Sequence, residues 1–327
     1  MPTTVTSTIK PSGGDYTTLS AWEAAKQGNI VTADQIQQAE CYNMSDTTAV
    51  VVDGWTTDAT RYIRIYGVVS DKTASNTGKW VTDRYRLEGA SASNGAALSI
   101  LEAYVRVDSL QVSGDATSTN FLDVISFGTN YPSAAYIEVT NCVVKGINDN
   151  YGSGVYIKDS AGKIYNNVIY DMTGNTSYGI YTNVSYAQLD IYNNTFVNTD
   201  YGIRGTAQVY AKNNVFRSCA LAPTISMTAA NCGYNSTDVA SLGYTSQTGD
   251  RTSQTFTFVD EGNDNFHLAS SDAGAKDFGT DLSTTFTVDV DGQTRSGSWD
   301  IGADEYIAAG GLSIPVAVHH YNQMRNV

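Results

Sequence analysis

The side chains able to do acid–base chemistry are scattered along this chain. Asp123, Glu138, Asp159, Asp171, Asp190 and Asp200 are acids set among short β-patterns, with Lys158, Lys163, Arg204 and Lys212 as the main bases between them. Cleaving a glycosidic bond needs two carboxylates flanking it, or a base beside bound calcium. No pair of acids recurs at neighbouring motif positions, although Asp171 with Asp200, or Asp190 with Glu138, would meet if the fold brought distant segments together. Asp289-Val290-Asp291-Gly292 opens like a calcium loop but lacks the later glutamate, so it reads as a structural turn. His267, between Phe266 and Leu268, reads as a packed residue, and His319 with His320 would hold a metal only with another chain's help. The expectation is no catalytic set, no metal and no cofactor.

Among the 22 tyrosines, Tyr151, Tyr156, Tyr165, Tyr178, Tyr181, Tyr186, Tyr192 and Tyr201 form a dense series. Tyr156, Tyr181, Tyr192 and Tyr201 are candidates for a sugar-stacking face; the competing reading is that they are strand formers. A net charge of −14 argues against nucleic acid, anionic membrane and polyanionic substrates such as pectate, all of which need clustered Lys and Arg. Cys41, Cys142, Cys219 and Cys232 show no metal-binding spacing and read as buried free thiols, with a Cys219–Cys232 disulfide as the alternative. Met1 to Val5 lacks the basic and apolar regions of a signal peptide, and no run of 18 apolar residues occurs, so no membrane span is expected.

The elements that must position these residues are short and repeated. Asn141-Cys142-Val143-Val144, Asn167-Val168-Ile169-Tyr170, Asn194-Thr195-Phe196-Val197 and Asn214-Val215-Phe216 recur every 20 to 27 residues. Gly154-Val155-Tyr156-Ile157, Gly179-Ile180-Tyr181 and Gly202-Ile203-Arg204 keep step with them. Two alternating motifs with one period mark a solenoid, and the Val/Ile/Tyr runs exclude helical repeats. The reading is an all-β, right-handed parallel β-helix in which Asn141, Asn167, Asn194 and Asn214 form a ladder at a bend, each amide bonding to those above and below. Residues 1–40 would form an N-terminal cap with a short helix near Ser20, 41–235 the coils, and 236–309 the closing coils and C-terminal cap.

Four later motifs carry a likeness: Phe256 to Asp260 (F-x-F-V-D), Asn265 to Leu268 (N-F-H-L), Asp289 to Arg295 (D-x-D-G-x-x-R) and Trp299 to Tyr306 (W-D-I-G-A-D-E-Y). Residues 130 to 306 resemble pectin-lyase-like right-handed parallel β-helix proteins of phage virions and bacterial surfaces. The resemblance implies the fold, within which activities differ widely. It also implies an Arg295 clamp to Asp300 or Asp304 on the last coil, and the homotrimeric assembly common among spikes.

Beyond Gly310-Gly311, residues 312–327 are apolar and then aromatic and basic. Leu312, Ile314, Val316, Val318, His319, His320, Tyr321 and Met324 read as a tail that docks on another virion or surface protein. With no catalytic motif in view, the expected function is a non-enzymatic structural or attachment protein of a phage particle, a capsid decoration or a fibre or spike component. It would lie on the virion or cell exterior and could touch surface polysaccharide. The alternatives are a tailspike-type lyase or hydrolase, and a bacterial adhesin.

Overall fold

The computed structural model describes residues 1–68, 78–90, 95–115, 122–128, 136–147, 151–158, 160–174, 176–183, 188–219 and 231–308. The chain is a right-handed parallel β-helix whose successive coils feed three parallel sheets. Sheet 1 has eight strands: Thr3–Ile9, Gln35–Cys41, Ile63–Gly67, Val105–Asp108, Tyr136–Thr140, Ala161–Tyr165, Gln188–Tyr192 and Gln208–Lys212. Sheet 2 has eight, from Met44–Asp46 to Ser236–Thr237, and sheet 3 has six, from Val50–Val52 to Tyr201–Gly205. Among the described residues, no helix is long and apolar enough to cross a membrane.

Side chains alternate across each strand, so Ile63 and Ile65, Val105 and Val107, Ile137 and Val139, and Leu189 and Ile191 of sheet 1 all face inward and are fully buried. Parallel register stacks them in rows, with Ile63 beside Val105 beside Ile137. The residues between them, Arg64, Arg106, Glu138, Lys163 and Asp190, share an outward row for the same reason. In sheet 3 the repeated Gly-Val or Gly-Ile pair turns both residues inward. A Cβ on Gly154, Gly179 or Gly202 would come within 2.3 to 2.5 Å of core atoms of Ile169, Phe196 or Phe216. Those glycines leave room for the Phe196–Phe216 stack, whose rings lie 5.1 Å apart.

Two residues divide the work at the bend between sheets 1 and 2. Left-handed backbone falls on Asn141, Asn166, Asn193 and Asn213, with φ between 48° and 56°. The buried amide ladder lies one residue later. Asn167 N–H and Nδ2 both donate to Asn194 Oδ1, at 3.0 and 2.9 Å. Asn194 donates likewise to Asn214 Oδ1, and Asn214 to Asn235 Oδ1. Each Nδ2 also reaches a backbone carbonyl of the neighbouring coil, as Asn194 does to Ile164 O at 2.9 Å. Asn141 is therefore not a rung. The register pairs Val143 with Val168, which sets Cys142 beside Asn167 and Asn141 beside Asn166. Cys142 ends the ladder, its N–H donating to Asn167 Oδ1 at 2.9 Å, while Asn141 Nδ2 bonds to Asp108.

The N-terminal helix Leu19–Lys26 starts at Thr18, whose hydroxyl accepts the Ala21 N–H at 3.1 Å. It buries Leu19 and Trp22, with Trp22 5.5 Å from Trp55, and so covers apolar surface at the first coil. Thr3–Ile9 is already a strand of sheet 1, paired in parallel with Gln35–Cys41. At the other end, the coils finish near Arg251, which pairs with Ser236. Residues 256–306 do not add the closing coils expected of them. They run back along the outside of sheet 2 as a strap, beginning with the antiparallel pair Phe258–Asp260 and Asn265–Leu268. Phe256, Phe258, Phe266, Val290 and Ile301 cover Val143, Val168, Tyr170 and Val215. This second apolar layer explains why sheet 2 strands are apolar on both faces. All four cysteines are buried and free.

Candidate functional site

Sheet 1 carries a groove on its outer face. Ile63, Val105 and Ile137 are in register, so the residues before them, Tyr62, Tyr104 and Tyr136, stand in one column across three coils. With Ala59 and Arg106 they line a depression of about 400 Å³. A second depression of about 250 Å³ shares Tyr62 and Arg106 and adds Arg64, Asp108, Glu138, Thr140, Asn141 and Tyr165. One half is aromatic and the other charged. The Arg106 guanidinium lies 3.8 Å from the Tyr62 ring centroid and 3.4 Å from Glu138. Arg64 pairs with Asp108 at 2.5 Å, and Asp108 Oδ1 also accepts from Thr140 Oγ1 and Asn141 Nδ2. Burial pushes the Tyr136 phenol well up from its ordinary pKa and Tyr165 up to about 12, with Glu138 adding to both. Tyr136 and Tyr165 therefore present neutral hydroxyls, and the strap meets the groove residue Tyr165 through Phe286, stacked 4.5 Å from it.

Such a lining matches the two faces of a pyranose: rings for its C–H surface, and carboxylates and guanidinium groups for its hydroxyls. Glu138 and Asp190 lie in the same outward row two coils apart, with Lys163 between them. Two strand spacings separate their backbones by about 9.6 Å. The other acid pair is not assembled: Asp171 accepts from Asn198 Nδ2 at 2.9 Å, while Asp200 accepts the Ser177 N–H. Asp159 lies outside the described residues. Asp123, on sheet 3, is lifted by burial to about 7 and faces Ser153.

The four tyrosines named for sugar stacking part company. Tyr156 and Tyr181 stack at 5.7 Å on sheet 3, and Tyr178 lies 4.8 Å from Tyr181 and 5.5 Å from Tyr201. Arg204 covers Tyr201 at 4.5 Å. Their faces are spent on one another, which suits a strand-stabilising ladder better than a sugar platform. Tyr192 is elsewhere: it belongs to sheet 1 and is buried with Phe286 and Trp299 beneath the strap. The groove tyrosines Tyr62, Tyr104 and Tyr136 were missed because 42 and 32 residues separate them, well outside the 20-to-27-residue period. Only the sheet register aligns them.

The strap has its own charged centre. Arg295 is 4 % exposed and pairs with Glu305 at 3.1 Å, not with the carboxylates of Asp300 or Asp304. Its Nη2 donates to the carbonyls of Gly302 (3.0 Å) and Ala303 (2.7 Å) and to Asn166 Oδ1 (3.1 Å), while its buried Nε–H has no partner among the described residues. Asp300 instead accepts the N–H groups of Asp277 and Tyr306, and Asp304 that of Leu268. Burial raises Asp289 and Asp300 to about 7 and Asp304 to about 6. The expected docking tail, residues 310–327, lies outside the described residues.

No family model matches this chain, and no curated protein does. Among solved structures it is similar to a pectin methylesterase from Aspergillus niger, at 10% identity and a TM-score of 0.35, over 85% of this chain and 92% of that one. It is also similar to pectate lyase Pel9A, at 14% identity and a TM-score of 0.33, over 94% of this chain and 97% of that one. The parallel registers define the fold independently of either likeness.

Proposed function

We propose that this β-helix binds an uncharged or weakly charged oligosaccharide along the sheet 1 groove. The observation that carries this reading is the continuous lining of Tyr62, Tyr104 and Tyr136 beside the Arg106–Glu138 and Arg64–Asp108 pairs. The overall charge of −14 favours neutral over polyanionic glycans. Affinity electrophoresis through gels containing bacterial surface polysaccharides is the direct test. A retarding polysaccharide should lose at least about tenfold in affinity for Tyr136→Ala or Arg106→Gln, equivalent to about 1.4 kcal/mol. Tyr181→Ala on sheet 3 should migrate as wild type. Retardation that depends on Tyr181 and ignores Tyr136 would move the site to the other sheet.

Glu138 and Asp190 favour a second reading, hydrolysis or elimination at a glycosidic bond, because they flank Lys163 in one row. Release of reducing ends or unsaturated products, abolished by Asp190→Asn with binding retained, distinguishes cleavage from binding alone.

The setting we propose for this binder is an attachment or decoration role on a phage particle through residues 310–327, whose apolar and then basic-aromatic sequence suits docking. In a density gradient of source lysate the full chain should band with particles, and a chain ending at residue 309 should stay at the top. Equal sedimentation of both forms would remove the tail from this account.

A further inference from the structure

We infer that His267, Asp291 and Asp304 form a binding site for a divalent transition-metal ion that staples the strap to itself. These residues come from three separate stretches: the strand Asn265–Leu268, the turn after Asp289, and the final run Gly302–Tyr306. One ligand atom from each lies within 4.8 Å of the others, and His267 Nε2 is 2.9 Å from Asp291 Oδ2. Small side-chain rotations bring all three to a common ion.

The surroundings are built as outer ligands usually are. His267 Nδ1 donates to Asn265 Oδ1, which orients the ring with Nε2 toward the carboxylates. Asp304 Oδ2 is fixed by the Leu268 N–H at 2.7 Å, and Asp291 Oδ2 by Gln293 Nε2 at 3.2 Å. Two further observations point to a ligand. Asp291 Oδ1 is buried and has no hydrogen-bond partner among the described residues, a costly state for a carboxylate oxygen that a cation would relieve. Gly78, at φ +59°, stands where a Cβ would lie 2.9 Å from His267 Nε2, so glycine keeps that side of the imidazole open. One imidazole nitrogen with two carboxylates suits zinc or manganese, whereas calcium prefers an all-oxygen set.

The test uses the full chain, stripped with a chelator and dialysed, and Zn²⁺ alone as the probe. Calorimetric titration should show one site per chain, with the thermal midpoint rising by several degrees on loading. His267→Gln and Asp291→Asn, each checked by circular dichroism for an unchanged β spectrum, should weaken binding at least tenfold and abolish the thermal shift. The His319→Ala/His320→Ala double variant, which removes every other histidine, should bind as wild type. Binding lost in that double variant but kept in His267→Gln would overturn the proposal. So would no heat of binding at 100-fold excess Zn²⁺, which would leave the cluster a histidine–carboxylate contact and nothing more.

Discussion

Asn194→Ala should cost this protein on the order of 3–5 kcal/mol of unfolding free energy, among the largest losses open to a single polar side chain here. The substitution removes an acceptor and two donors at once. Asn194 Oδ1 receives both the backbone N–H and Nδ2 of Asn167, while its own Nδ2 serves the Ile164 and Tyr192 carbonyls and Asn214 Oδ1. All of these lie in a fully buried bend, and alanine leaves room for no reliable substitute partner. Each buried group left unpaired costs about 1–3 kcal/mol, and at least the Asn167 N–H and one carbonyl are left so. Asn141→Ala is the comparison: its amide donates to Asp108 and accepts one bond from Asn166 Nδ2 at 3.3 Å, outside the buried ladder, so a smaller loss of about 1–2 kcal/mol is expected. Urea unfolding followed by circular dichroism compares the two. Equal midpoints for both variants would mean that the ladder contributes no more than an ordinary turn.

Arg295→Met is the second large effect, expected at about 3–5 kcal/mol, the usual consequence of leaving one partner of a buried ion pair alone. Glu305 would lose its guanidinium partner in a pocket where the remaining neighbours are Asp289, Asp300 and Asp304, and the Gly302 and Ala303 carbonyls would lose their donor. The damage should be local first, because the guanidinium joins the last stretch of the strap to Asn166 at the sheet 1–sheet 2 bend. Limited proteolysis should therefore cut the variant within residues 256–306 faster than wild type, while the coils stay resistant. Adding Glu305→Leu should restore part of the loss, since an apolar pair avoids the stranded charge. Undiminished resistance in Arg295→Met would show that apolar contacts alone hold the strap.

The fold was legible because a solenoid writes its geometry as a period. The Asn and Gly motifs recur once per coil, and their residue types suit a bend and a crowded inner wall. The error at Asn141 came from that same regularity: paired asparagines offer two alignments, and Cys142, the true counterpart of Asn167, conceals the right one. The strap was less legible. Phe256 to Asp260 reads as a strand whether it adds a coil or lies across existing ones, and only the two-sided apolarity of sheet 2 hinted at a covering layer. The groove was least legible, since Tyr62, Tyr104 and Tyr136 are brought together by register across inserts of unequal length. Tyr192 was misplaced because spacing alone does not reveal which of three sheets a tyrosine joins.

The strap also changes how the molecule answers a pull on its ends. A bare stack of coils peels from either terminus one layer at a time, since each layer touches only its neighbours. Here the strap leaves the last coil near Arg251 and reaches back to Lys145, through Asp264 at 2.6 Å, and to Lys79, which bridges to Asn265. Tension that would lift the final coils is carried instead along the flank into the early ones. Peeling the coils that the strap spans must shear that lengthwise seam as well, so those coils give way together and at a higher load than a bare stack.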